Sequence, residues 1–277
     1  MVQLQSALEH YRRQRRIATL GLIGARREQQ RGNLKRALAL VTFAQLQAAQ
    51  DAVTASQDML DEQGVRAPAI AAVDAAALAG VASDGRDLLG LLQAVSRPEA
   101  PAGSFDRAVL TQISDAGRAG GAVSIAARPK VTGYVRMLVP PSCSRCAILA
   151  GRVYRYNAAF ARHPRCDCRA IPATESTARH LTTDPRAYFD SLDVAQQERL
   201  FTKAGAQAIR DGADPAQVVN ARRGMTTAQV GAERILATKA GATRGRVRLM
   251  PETIMQIAGS DRLEAIRLLR LHGYLRD

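Results

Sequence analysis

Val131-Thr132-Gly133-Tyr134-Val135-Arg136-Met137-Leu138-Val139-Pro140-Pro141-Ser142-Cys143-Ser144-Arg145-Cys146 is the stretch in which the character of the chain changes. Upstream, apolar residues recur at three- and four-residue steps, the period of a helix. Here β-branched residues crowd between glycine and proline, as they do in short strands, and Ala122–Ala127 and Val153–Tyr156 share that texture. The stretch ends in Cys143-x2-Cys146, and after sixteen intervening residues the motif resumes as His163-Pro164-Arg165-Cys166-Asp167-Cys168. All four cysteines of the 277-residue chain lie in this box.

Thiolate and imidazole are the ligands that Zn2+ prefers, so four of Cys143, Cys146, His163, Cys166 and Cys168 can complete a tetrahedral structural site. The first pair has the spacing of a zinc knuckle. In Cys166-x-Cys168 the sulfurs alternate faces of a strand unless the backbone turns, which keeps His163 as an alternative ligand, with Pro164 stiffening its approach. Disulfides, for which four cysteines allow three connectivities, and thiols that are merely packed are the competing readings. A catalytic Cys/His pair would call for an isolated reactive thiol rather than a cluster. Asp167 is expected to face water.

Working outward, residues 2–62 read as one or two long helices through Leu4, Leu8, Tyr11, Leu38, Val41 and Leu46, with a break at Gly32-Asn33 and an end at Gln63-Gly64. Ala67-Pro68 opens a further helical stretch to about Gly80, and Ser83 or Asp84 is a candidate cap for the next helix. Pro98, Pro101 and Gly103 mark a linker over Ser96–Ser104, followed by a helix over 105–119. Beyond the box, Asp193-Val194-Ala195-Gln196 is a capping-box candidate for a helix to Arg210, ended by Gly212. Asp214-Pro215 starts another helix, and Pro251–Ala258 and Ser260–Gly273 form the last two. The expected fold is mainly α with a small zinc-stabilised α+β module. Its expected regions are 1–125, helical; 126–175, the Cys/His module; and 176–277, a helical C-terminal region.

Tryptophan is absent and aromatic residues make up 4%, which disfavours a large β-sandwich. A formal charge of +14 points to a polyanionic neighbour. The charge is blocked: residues 1–50 carry nine Lys/Arg against two acids, residues 51–100 three against eight, and residues 201–250 nine against three. Arg12, Arg13, Arg15, Arg16, Arg222 and Arg223 are the candidate contacts to nucleic acid or an acidic partner; a solvated face is the plainer reading of the first four. His10, His180 and His272 are expected at the surface or at helix ends. Met1–Arg16 lacks the apolar core of a secretory signal and Ile17–Gly24 is too short to cross a bilayer, so synthesis in a reducing cytoplasm, without membrane contact, is expected; that compartment favours metal over disulfides.

The run Gly133–Gly151 and the segment Arg162–Cys168 together resemble the minor head (minor capsid) proteins of actinobacterial tailed phages, which are similar to the F-type head morphogenesis proteins of Mu-like phages. Ala82–Leu89, Asp190–Gly212, Val218–Met225 and Leu249–Leu275 also look like segments of those proteins. The resemblance implies a low-copy, non-enzymatic virion component inside the head near the portal vertex. It implies contact with the portal protein, the major capsid or scaffold protein, and packaged DNA without base reading, after assembly in the host cytoplasm. Two other classes compete: a zinc-dependent nucleic-acid-binding protein, and a capsid maturation protease or metal-dependent hydrolase. Neither a Gly-x-Ser-x-Gly elbow nor a His-Glu-x-x-His helix is present for the last.

Overall fold

The computed structural model describes residues 4–139, 142–158, 168–181, 183–230, 233–239 and 247–275. The chain divides into two compact units. One contains Val2–Val139 together with Arg152–Thr182; the other contains Pro140–Gly151 and Thr183–Asp277. Among the described residues the fold is mainly helical with two small antiparallel sheets.

In the first unit, α1 (Gln5–Gln30) and α2 (Leu34–Glu62) form the two long helices expected from the periodicity. The break between them is built as the sequence suggests: Gly32 takes φ +74 and the Asn33 side chain accepts from the Arg36 N–H as N-cap. Alanine dominates the seam, with Ala18 and Ala25 on α1 and Ala37, Ala44, Ala48, Ala52 and Ala55 on α2 all buried. Small side chains let the helix axes approach, and the close approach extends to α4 (Ser104–Ala126). A Cβ on Gly120 would lie 2.7 Å from the Ala49 carbonyl oxygen, and one on Gly21 would lie 2.8 Å from the Ala44 Cβ.

Three expectations give way here. Residues 68–74 are not helical; only a 3-10 turn at Ala75–Leu78 forms, capped by Asp74. The helix α3 (Leu88–Val95) is capped by Asp87, whose side chain accepts from the Gly90 N–H, whereas Asp84 is turned onto Arg86. Buried glutamines hold these loops: Gln45 bonds both the Val81 carbonyl and the Gly80 N–H, and Gln112 accepts from the Ser83 N–H. Ala122–Ala127, strand-like in composition, continues α4, because Ile113, Ala116, Gly120 and Ser124 form a buried helical stripe that overrides local preference.

The sheet of the first unit runs in the order β2 (Val153–Arg155), β1 (Gly133–Met137), β3 (Arg169–Ala173). Every residue of β1 is buried, which explains its near-continuous apolar run. Val135, Met137, Ile171 and Ala173 pack with Leu4, Ala7, Ala55 and Met59, so the N-terminal helices provide this sheet's core. A short helix α6 (Glu175–Ala178) follows, with Thr174 and Thr177 completing a capping box that the sequence reading passed over.

The second unit contains the one-turn helix α5 (Ser144–Ala147), then α7 (Pro185–Asp190), α8 (Val194–Phe201), α9 (Lys203–Arg210) and α10 (Pro215–Arg223). The Asp193/Gln196 capping box forms, and Gly212 takes φ +106. The expected single helix to Arg210 is broken at Thr202, which takes φ 67 and caps α9 through its hydroxyl. A sheet of β4 (Met225–Val230), β5 (Glu233–Thr238) and β6 (Arg248–Leu249) interrupts the region expected to be helical throughout. Its Thr- and Val-containing strands carry weak sequence signals, and hydrogen bonding to neighbours decides them: the Thr238 hydroxyl donates to the Ala221 carbonyl, and the Met250 N–H to the Leu236 carbonyl. α11 (Pro251–Ala258) and α12 (Arg262–Leu271) close the chain, the latter capped by Asp261.

Candidate functional site

Cys143 is the N-cap of α5, and its carbonyl accepts from the Ala147 N–H at 3.0 Å. One helical turn therefore separates Cys143 from Cys146 and brings the two side chains to one face. Cys143 is half-buried and Cys146 buried. Cys168 is fully buried where the chain enters β3, in the first unit. His163, Cys166 and Asp167 lie outside the described residues. Among the described residues no three His, Cys, Asp or Glu side chains form a group able to hold a metal ion. The Cys143/Cys146 turn has the donor chemistry and spacing that half of a zinc knuckle requires.

Cys168 also lines a cavity of about 380 Å3 in the first unit, with His10, Arg118, Tyr134, Tyr156 and Arg169. His10 is buried, contrary to the expectation that it sits at the surface. Its Nδ1 is 2.7 Å from Asp51 Oδ2, which also accepts from Gln14 Nε2, while Arg13 Nε donates to Oδ1. Burial lowers the His10 pKa, although the hydrogen bond to Asp51 opposes this. Burial raises that of Asp51, but the bonds from His10, Gln14 and Arg13 outweigh it and bring it down to about 2. An ionised Asp51 only accepts, so the neutral imidazole carries its proton on Nδ1. This network ties α1 to α2 across forty residues of sequence, and the local pattern around His10 gives no sign of it. His180 is exposed and His272 is the C-cap of α12, as expected.

The candidate basic residues divide by their partners. Arg13 is held by Asp51, and Arg15 lies 5.7 Å from the centre of the Tyr11 ring. Arg222 bonds Glu252 and the Thr202 hydroxyl, both at 2.5 Å. Arg12, Arg16 and Arg223 are exposed, and no ion pair among the described residues uses them. These three are the cations of the group left to meet a phosphate or a carboxylate.

A family model, that of the VG15 protein, matches residues 2–195. The chain belongs to the VG15 family. This is a phage-related family, and the match takes in the whole first unit and the complete Cys/His box. No curated protein and no solved structure matches the chain. Among the described residues of this VG15 protein, no helix is long and apolar enough to cross a membrane.

Proposed function

We propose that this VG15 protein is a non-enzymatic minor capsid, or head morphogenesis, protein located inside the phage head near the portal. The match over residues 2–195 to a phage-related family carries this reading, because it covers the box whose Pro-Pro-Ser-Cys and His-Pro-x-Cys-x-Cys elements resemble minor head proteins. In this role the helical N-terminal region engages the portal, the major capsid or the scaffold protein. Exposed cations such as Arg12, Arg16 and Arg223 neutralise DNA phosphate or acidic protein surface without reading bases. The box binds one structural Zn2+ through four of its five candidate ligands.

The test is to delete the gene from the phage and to probe purified proheads and mature particles for the protein. Particles carrying a few copies each, and defective heads after deletion, are the expected results. Its absence from particles, with heads assembling normally without it, overturns the assignment. Binding of duplex DNA with a sequence preference would instead favour the zinc-dependent nucleic-acid-binding reading.

A further inference from the structure

The outer face of the α1/α2 hairpin carries a feature that neither charge neutralisation nor core packing accounts for. Leu20 (59% exposed), Ile23 (60%), Leu40 (38%) and Phe43 (58%) all face solvent there. The two helices bring them together. Gly21 abuts Ala44, the neighbour of Phe43, and a Cβ on Gly24 would lie 3.2 Å from Leu40 Cδ1. Isolated exposed apolar residues are ordinary, but four large ones gathered on two adjacent helices mark an interaction surface. Cations rim this patch. Arg26 is occupied by Asp106 and Arg31 by Glu28, whereas Arg16, Arg27, Lys35 and Arg36 are exposed and no ion pair among the described residues uses them. Between residues 10 and 50 the only acid is Glu28, which is buried.

We propose that this face is a seat for an acidic amphipathic helix of another protein, whose apolar stripe covers Leu20, Ile23, Leu40 and Phe43 while its flanking carboxylates meet Arg16, Arg27 and Arg36. Charge complementarity decides the occupant. A second copy docking through this same face would set cations against cations, and duplex DNA would leave the four apolar side chains with no surface to bury against. A bilayer surface suits a continuous apolar stripe, but on α1 the stripe is closed at both ends by Arg16 and Arg27, about three turns apart. A patch of that length fits the spacing of the anchors on a docked helix. The seat needs no particular location in the virion, so it stands or falls apart from the head assignment.

The experiment uses the full chain and two labelled synthetic helices with the same apolar face, one flanked by Glu and one by Lys. Fluorescence anisotropy is read against both, against a 20-base-pair duplex of roughly two helical turns, and against anionic phosphatidylserine vesicles, with sedimentation for self-association. The Glu-flanked helix is expected to bind, at least about tenfold more weakly to Phe43→Ser or Ile23→Ser, as truncating a central anchor does. Combined Arg16→Glu and Arg27→Glu should shift preference toward the Lys-flanked helix. Unchanged thermal melting of the variants separates lost binding from lost folding. Failure of the Glu-flanked helix to bind, binding indifferent to Phe43→Ser, or a Phe43-dependent preference for vesicles, for DNA or for a second copy would each overturn the assignment.

Discussion

Gly120 and Gly121 are adjacent on α4 and should respond to the same substitution with opposite sign. Alanine is favoured over glycine in a helix interior by about 1 kcal/mol, so on propensity alone both Gly→Ala changes stabilise. At Gly121 the nearest atom to an added Cβ is the Ala52 Cβ at 3.9 Å, an ordinary contact, so the propensity gain should survive nearly whole. At Gly120 the added Cβ would meet the Ala49 carbonyl oxygen at 2.7 Å and the Ala49 Cα at 3.0 Å. Both are backbone atoms of α2 and cannot rotate away, so α2 and α4 must separate along a seam rich in alanine. Overpacking costs about 1–3 kcal/mol, and a clash with backbone belongs in the upper part of that range, so Gly120→Ala is expected to destabilise by roughly 1–2 kcal/mol after the propensity gain is subtracted. With about 2–4 °C per kcal/mol for a unit of this size, the two variants should melt on opposite sides of the parent and several degrees apart. Differential scanning calorimetry of the full-length proteins reads this directly. If Gly120→Ala melts at or above the parent temperature, the close approach of α2 and α4 is wrong.

Acid should weaken the first unit through the His10–Asp51 pair. Asp51 titrates at about 2 when folded and near the ordinary carboxylate value when unfolded, so its stabilisation is complete above pH 4 and is lost as pH falls toward 2. His10 adds to the loss from higher pH, because its lowered pKa means that the unfolded chain takes up the proton first. Asp51→Asn should flatten the acid limb of a stability-versus-pH curve measured by urea denaturation, and an unchanged limb would remove the pair as its cause. In the second unit, Tyr274 is fully buried, lies 4.1 Å beneath the Arg248 guanidinium and donates to the Leu249 carbonyl at 2.8 Å. Tyr274→Phe should cost about 1 kcal/mol and Tyr274→Ala about 3–5, read as shifts in urea midpoint. For the box, protein purified from the cytoplasm is expected to contain about one zinc equivalent, lost together with local structure in Cys143→Ser or Cys146→Ser. Full stability and unchanged spectra after exhaustive chelation would exclude a structural metal.

Where one short stretch contains the whole physical cause, the chain could be read directly. Asn33 after Gly32, the Asp193/Gln196 capping box, Asp214-Pro215 and the Pro251 start are local hydrogen-bond and dihedral effects, and each stands in the structure as read. The strand texture of Val131–Val139 was legible for the same reason. Residues that depend on distant partners were not. Ala122–Ala127 has the composition of a strand but its Ser124 and Ile125 lie on the buried stripe of α4, and the break at Thr202 has no marker in its neighbours.

The sequence alone determined the helical class, the ends of several helices and the cysteine–histidine box, because periodicity, capping and ligand chemistry act within a few residues. Only the tertiary structure decided what the chain's charges do. Glu62, at the end of α2, caps the start of α1 by accepting from the Gln5 and Ser6 N–H groups; Asp51 gathers His10, Arg13 and Gln14; Glu252 holds Arg222. An ion pair or a tertiary cap depends on atoms brought within about 3 Å by the fold, and a basic stripe in one dimension cannot say which of its arginines have been taken. The hairpin's exposed apolar face is the same case: Leu20, Ile23, Leu40 and Phe43 look like core residues until packing against α4 shows which face of each helix was used.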